Sequence, residues 1–387
     1  MSRLVSTALI FAVLAYAYAL SQTDYDFFLQ SVQEDEYLEW STFWGFILAS
    51  VLFILAARQQ HKVEGKIPWF LTGVGIFCFI FAMEEISWGQ RVLGFRPPAY
   101  FLDENFQQEL NYHNIISKWW RKTALKLIML AYGFALPVLA MEPSLRRWID
   151  KLAIVPPAAI FILPFTVAVF FYHEYPLEYS GEIVELMFAF CFIFSAMDYL
   201  QQTGFDFGRQ IARIKGFAVP KSLVAMALAV VVIGAGAAGG AISRSDKTAD
   251  PELLRMAKVE STAIAEDLLW LIKNQQPGAR SVTQCQMHTR LYSYVIGRRY
   301  QRMNEGNYHA LTQSGLPEER AKFFIDPCNS PYWIRQYCNE DRTESRIYVY
   351  SFGPNRKRDS ARHNIDGDDI GVIIRRRARQ SGINQSR

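Results

Sequence analysis

The feature that most constrains this chain is a series of apolar segments long enough to cross a bilayer, confined to its first two thirds. They run at about 4–20, 40–57, 67–83, 123–141, 154–172, 183–200 and 219–242, where a helical crossing takes about 20 residues. In hydrocarbon each backbone N–H and C=O must find its partner inside the segment, so these runs predict α-helices. Composition hides the pattern: 51% hydrophobic and 20% charged residues, with a net charge of +4, describe an ordinary soluble protein. The average mixes two solvents, because residues 243–387 are polar, Arg-rich and punctuated by turn residues. The expected fold is a bundle of about seven transmembrane helices over 1–242, then a small α+β soluble domain over 243–387.

Lys and Arg in the short loops set the orientation. Arg3 flanks the first span, Arg58, Lys62 and Lys66 fill the second loop, Arg146, Arg147 and Lys151 the fourth, and Arg209, Arg213, Lys215 and Lys221 the sixth. With seven spans these all fall on one side, whereas the loops at 21–39 and 173–182 carry neither residue. The long loop 84–122 does carry Arg91, Arg96, Lys118, Arg121 and Lys122, a load that a bias summed over loops tolerates. The reading is a multi-pass protein of the bacterial inner membrane, N-terminus cytoplasmic and C-terminal domain periplasmic. The first run also fits a signal peptide, since Arg3 precedes an apolar core ending in Ala15-Tyr16-Ala17-Tyr18-Ala19.

Of the five cysteines, Cys78 and Cys191 lie in apolar runs as small core residues, while Cys285, Cys328 and Cys338 lie in the polar third. In an oxidising compartment Cys328 and Cys338 are the expected disulfide, with Cys285 left over. After the last span, Leu254, Ala257, Ile264, Leu268 and Leu271 recur at roughly helical intervals and predict a helix over 251–276. A second helical stretch is expected at 282–303, and Arg346–Ser351 alternates like a strand.

The ionisable residues of the membrane region collect at span ends. Glu84 and Glu85 close the third span, His173 and Glu174 close the fifth, and Glu178, Glu182 and Glu185 open the sixth at i, i+4 and i+7, along one helical face. Like charges so placed need compensation from Arg91, a metal ion or a proton. The loop between the third and fourth spans adds Asn105, Gln107, Glu109, Asn111, His113 and Asn114. Glu84, Glu85, Arg91, Glu182 and Glu185 are the candidate catalytic residues, and His113 and His173 are candidate ligands for a zinc-type ion. The alternative is structural: acids in a helix's first turn favour its dipole, and charges at span ends sit among headgroups.

Two resemblances follow from these residues. The run Glu84-Glu85-Ile86-Ser87-Trp88-Gly89-Gln90-Arg91, the polar loop after it and Glu34-Asp35-Glu36-Tyr37-Leu38-Glu39-Trp40 before the second span resemble a family of bacterial polytopic membrane proteins with no assigned activity. That likeness covers roughly residues 1–200 and implies no mechanism. In the last third, Asp326-Pro327-Cys328-Asn329-Ser330-Pro331-Tyr332, then Tyr348-Val349-Tyr350-Ser351, Phe352-Gly353-Pro354-Asn355 and Asp366-Gly367-Asp368-Asp369-Ile370 resemble the C-terminal half of the major pseudopilin of type II secretion systems. The resemblance implies a pilin-like module, with Asn355, Asp368 and Asp369 at positions that enclose calcium in that family. The intervening Arg356-Lys357-Arg358-Asp359 departs from the family's Gly-rich loop. Lys215-Gly216-Phe217 before the seventh span is similar to a pseudopilin processing site, although Pro220 interrupts and Lys221 stands where that family has Glu. The seventh span reads instead as the stem of a module fused to the membrane unit.

Two function classes stay open on sequence. One is a membrane-embedded hydrolase or transferase acting on a lipid-linked or envelope substrate through the acidic cluster. The other is a non-enzymatic anchor whose pilin-like domain docks on a secretion or pilus-like assembly. Membrane lipid is the expected partner in either case. Nucleic acid is not, because Arg375, Arg376, Arg377 and Arg379 lie on the periplasmic side of this topology and no phosphate-cradling Gly-rich loop is present.

Overall fold

A computed structural model describes residues 3–33, 35–105, 108–174, 180–205, 220–244, 250–273, 320, 325–339, 344–360 and 364–377. The chain divides into two compact units, Met1–Trp88 with Ile116–Ser243, and Gly89–Ile115 with Arg244–Arg387.

The first unit is helical. Its elements are α1 (Arg3–Thr23), α2 (Tyr25–Ser31), α3 (Tyr37–Glu64), α4 (Trp69–Glu85), α7 (Lys118–Leu130), α8 (Leu136–Leu139), α9 (Pro143–Lys151), α10 (Ile162–Glu174), α11 (Ser180–Gln202) and α12 (Lys221–Arg244). Helices α5 (Gln90–Leu93) and α6 (Ala99–Glu104) belong to the second unit. Among the described residues, five helical stretches are long and apolar enough to cross a membrane: Arg3–Thr23, Tyr37–Glu64, Trp119–Leu139, Gly181–Gln202 and Lys221–Ile242. The other two expected spans are shorter helices, 17 residues for α4 and 13 for α10. Proline sets both starts: Pro68 caps α4, Pro156 and Pro157 hold the chain before α10 out of a longer helix, and Pro164 lies in the first turn of α10. A wide turn, Ala131–Ala135, joins α7 to α8. Pro137 there has no N–H to return to the carbonyl four residues back, so the ladder re-forms with one residue extra.

Helix α11 is the centre of this unit. It is apolar nearly all round, as a helix surrounded by others must be, and Ile183, Met187, Phe188, Cys191 and Phe194 are fully buried. The rings of Phe46, Phe53, Phe77, Tyr132 and Phe165 lie with centroids 5.1–6.1 Å from that of Phe192. At such spacings edge and offset contacts add to burial. Arg3 grips Asp198 with Nε–Oδ1 at 2.9 Å and Nη2–Oδ2 at 3.1 Å, tying the start of α1 to α11. Helix α12 lies against α3 on small residues. A Cβ at Gly236 would fall 1.9 Å from Ser41 Oγ and 2.7 Å from the Tyr37 carbonyl, so only glycine permits the approach.

The second unit has a helix packed on a small antiparallel sheet. Helix α13 (Pro251–Lys273) realises the predicted 251–276 helix, burying Ala257, Ile264 and Leu268 along one face. The strands β1 (Trp333–Cys338), β2 (Glu344–Ser351) and β3 (Ile370–Arg377) pair in the order β1-β2-β3, with Trp333 opposite Tyr350 and Tyr348 opposite Ile373. The predicted strand at Arg346–Ser351 lies inside β2. The expected 282–303 helix, Lys215-Gly216-Phe217, Cys285 and Arg379 lie outside the described residues.

The same unit includes the segment between α4 and α7, with α5 (Gln90–Leu93) and α6 (Ala99–Glu104). Its polar residues knit it together: Asn105 Nδ2 donates to the carbonyls of Glu109 and Asn111, both at 2.8 Å, and Gln90 Oε1 accepts from Leu110 N at 2.6 Å. It meets the turn before β1, where Asn329 Nδ2 donates to the Gly94 carbonyl at 3.3 Å and Leu102 packs on Ile325. Gly94 has φ +70°, and a Cβ there would fall 1.9 Å from Arg356 Nη1.

The expected Cys328–Cys338 disulfide is corrected. Cys328 is a buried free thiol, and Cys338 is disulfide-bonded elsewhere. Cys328 sits in the turn before β1 and Cys338 ends that strand. An extended strand of this length carries the chain about 15 Å or more, beyond the roughly 7 Å between Cα atoms that a disulfide can bridge.

Candidate functional site

The carboxylates of Glu85, Glu182 and Glu185 converge, each offering an oxygen within 4.8 Å of the others. Among the described residues this is the one group of three or more His, Cys, Asp or Glu side chains so gathered. Glu85 is the last residue of α4, while Glu182 and Glu185 occupy the first two turns of α11. Glu39, in the first turn of α3, and Arg121 and Lys122, in the first two turns of α7, lie within electrostatic reach. Four helices thus bring charge to one end of the first unit.

The helix dipole accounts for only part of this arrangement. Glu39 and Glu182 stand at positive helix N-termini, where an acid is favoured with or without function. Glu85 stands at the negative C-terminus of α4, and Arg121 and Lys122 at the positive N-terminus of α7. Each of these three opposes its own helix's dipole, so their placement answers to one another rather than to local helix chemistry. The Lys122 ammonium also lies 5.5 Å from the centre of the Tyr172 ring, a favourable position for a cation.

The turn leaving α4 is unusual. Ser87, Trp88 and Gly89 take φ of 46°, 54° and 78°, three successive residues in the left-handed region. For a bulky residue such as Trp this conformation costs energy and is held by its surroundings. Trp88 donates its indole N–H to Glu84 Oε1 at 2.7 Å, which ties the turn back to the helix end.

The other sequence candidates are placed differently. His173 is exposed, with Nδ1 3.1 Å from Lys126 Nζ and Nε2 3.6 Å from Glu174, and is not part of the carboxylate group. His113 lies half-buried in the Gly89–Ile115 segment of the second unit. Arg91 lies in α5 of that unit, and its side chain, like Gln107 and Glu178, is outside the described set. The donor set gathered at Glu85 is therefore all oxygen, which suits hard divalent ions better than the His-containing zinc set. Glu39, Arg121 and Lys122 were not singled out by sequence, because their relation to Glu85 and Glu185 is made by helix packing and leaves no local spacing.

The loop implied to enclose calcium is closed by its own hydrogen bonds. Asn355 Oδ1 accepts from Lys357 N at 2.8 Å, and its Nδ2 donates to Asp359 Oδ2 at 2.8 Å. Asp368 N also donates to Asp359 Oδ2, at 3.0 Å. Asp369 Oδ2 accepts from Ser360 N at 2.7 Å and Asp359 N at 3.1 Å. Asn355 thus spends its oxygen on the backbone and turns an amide N–H₂ inward, so the residues present do not fit a calcium cage. Burial pushes the Asp369 carboxyl up to about 7, against the hydrogen bonds from Ser360.

The turn at Asp326 is tied by three hydrogen bonds to one carboxylate. Asp326 Oδ1 accepts from Cys328 N and Ser330 N at 2.9 and 2.8 Å, and Oδ2 accepts from Ser351 Oγ at 2.6 Å. It joins the Pro327–Pro331 turn to the end of β2. Burial raises this carboxyl to about 6 and the neighbouring Cys328 thiol to about 12.

Comparison with protein-family models, with curated proteins and with solved structures finds no match to this chain.

Proposed function

We propose that this chain is a seven-span protein of the bacterial inner membrane, N-terminus cytoplasmic, with a carboxylate centre at the outer leaflet edge that acts on a lipid-linked or envelope substrate. The convergence of Glu85, Glu182 and Glu185 within 4.8 Å carries this reading. Three carboxylates at that spacing suit acid–base work on a substrate hydroxyl, either sharing a proton or jointly holding a hard divalent ion. Arg121 and Lys122 on the flank suit the phosphate of a lipid-linked substrate.

The composition of the second unit supports the span count. Its two segments, Gly89–Ile115 and Arg244–Arg387, belong to one compact body and so share one side of the membrane. An even number of crossings must then separate them. Helices α7–α8, α11 and α12 supply three, and α10 supplies the fourth despite its length. A short helix is accommodated by local thinning of the bilayer. The basic α9 region then faces the cytoplasm and the second unit the periplasm, in agreement with the loop charges.

The test is Glu85→Gln and Glu185→Gln in the full-length protein, each a change of charge with little change of volume. Loss of the cellular phenotype at normal protein level supports the site, and retention by both variants overturns it. Metal analysis of purified protein, with Glu185→Gln as the control, separates a metal centre from a proton-sharing one.

The second reading is an assembly role, and one observation favours it. An apolar helix, α12, is followed by α13 and then by an antiparallel sheet packed on α13. That is the element order of a pilin-like subunit. Deleting 244–387 abolishes function on this reading and spares the chemistry on the first.

A further inference from the structure

Helix α9, Pro143–Lys151, joins two apolar helices and is built unlike either. At 100° per residue, Leu145, Trp148, Ile149 and Leu152 fall within one arc of about 100°, while Arg146, Arg147, Asp150 and Lys151 fill the opposite side. Ile149 is buried at one edge of the apolar arc. Leu145, Trp148 and Leu152 are 41%, 60% and 52% exposed, an apolar edge that the protein itself leaves uncovered.

The helix is nevertheless fixed in place. Lys66 Nζ donates to the Asp150 carbonyl at 2.8 Å, and Trp69 Nε1 donates to the Leu152 carbonyl at 2.7 Å. The anchors come from the turn between α3 and α4 and from the first residue of α4, so α9 is held against the end of the bundle opposite Glu85. In sequence the exposed edge stands within a band of exposed apolar side chains, with Val138, Leu139 and Met141 before it and Leu163 after it. On helices that cross a membrane, that band is covered by lipid.

The charges are arranged for the same surface. Arg146 is occupied by Asp150, Nε–Oδ1 3.0 Å. Arg147 has no ion-pair partner among the described residues, and the Lys151 ammonium lies 5.0 Å from the centre of the Trp148 ring. An amphipathic helix with Trp at the apolar edge and free cations beside it is suited to the headgroup layer. Three side chains on a nine-residue helix offer far less than the roughly 800 Å² per partner of a stable protein interface.

We propose that α9 is an interfacial helix that recruits anionic phospholipid, with Leu145, Trp148 and Leu152 set among the acyl chains and Arg147 and Lys151 on headgroup phosphates. The inference rests on the first unit's crossing a membrane, and its test tells the two apart. Full-length protein and W148F are reconstituted in vesicles containing brominated phosphatidylglycerol or brominated phosphatidylcholine. The wild-type minus W148F fluorescence isolates Trp148. Expected is quenching of that component by both lipids, about twofold or more stronger with phosphatidylglycerol at low salt. In R147Q/K151Q the quenching persists and the preference disappears. Protein that floats with the vesicles while its Trp148 component is unquenched, or is quenched equally by the two lipids, overturns the proposal and leaves the membrane reading standing. Protein that does not float with the vesicles overturns both.

Discussion

Tyr332 donates its hydroxyl to Glu260 Oε2 at 2.6 Å, joining the entry to β1 with the middle of α13 across 72 residues of sequence. Arg320 completes the group with Nη2–Oε1 at 2.7 Å and Nη1–Oε2 at 3.1 Å. The Glu260 side chain is 4% exposed and that of Arg320 14%. Glu260→Ala leaves a guanidinium and a hydroxyl buried without their acceptor, a loss of about 3–5 kcal/mol. Hydrogen exchange of β1 and β2 in the full-length protein is expected to accelerate on the order of 100-fold or more. Unchanged protection would show that the group contributes no stability to the sheet.

The second unit should lose stability as pH rises from about 4 to about 7. Asp369 has one oxygen, Oδ1, buried without a hydrogen-bond partner among the described residues, and burial raises its carboxyl to about 7. A native pKa above the ordinary carboxylate range means that the folded form holds the proton more tightly than the unfolded chain. The stabilisation is complete below about pH 4 and has disappeared once pH passes about 7, a span worth on the order of 4 kcal/mol. Asp326, at about 6, adds in the same direction. Thermal unfolding between pH 5 and 8 is the measurement, and Asp369→Asn is expected to flatten much of the slope.

Much of the membrane unit was legible because hydropathy reports helix existence directly. The predicted 40–57 and 183–200 runs sit inside α3 and α11, and 219–242 nearly coincides with α12. Where sequence reading fell short, the cause was direction or distance. His173 has the chemistry of a ligand, but its place at the end of α10 points it to Lys126. Cys328 and Cys338 look close in sequence, yet an extended strand separates them. Gly94 gives no hint of its partners, because the need for glycine arises from Arg356, far along the chain.

The α3–α12 packing predicts opposite outcomes for two neighbouring glycines. Gly236→Ala puts a methyl against Ser41 Oγ and the Tyr37 carbonyl, and backbone cannot yield as a side chain does. Separation of the helices should cost about 1–3 kcal/mol. Gly234 has nothing within 4 Å of a built Cβ, so Gly234→Ala should be neutral or should stabilise by up to about 1 kcal/mol through helix propensity. Melting temperatures of the two variants in one detergent decide the matter; equal shifts would refute the packing.

The cysteines give a test by alkylation. In the native protein the Cys328 thiol, buried and raised to about 12, should resist iodoacetamide at pH 8. Unfolding without reductant should expose Cys328 to labelling while Cys338 stays blocked by its disulfide. Peptide mass spectrometry reads both sites, and labelling of Cys338 before reduction is the contrary result.

The second unit's two segments also set a schedule for biogenesis. Gly89–Ile115 leaves the ribosome early, but the turn holding Asn329, to which Gly94 is joined, is more than two hundred residues downstream. At translation rates of about 5–20 residues per second the earlier segment waits roughly 10–40 s for its partner. During that interval its polar loop is supported only by its own hydrogen bonds. Those from Asn105 and Gln90 close within the segment, so it has the means to hold a provisional shape until the rest of the chain arrives.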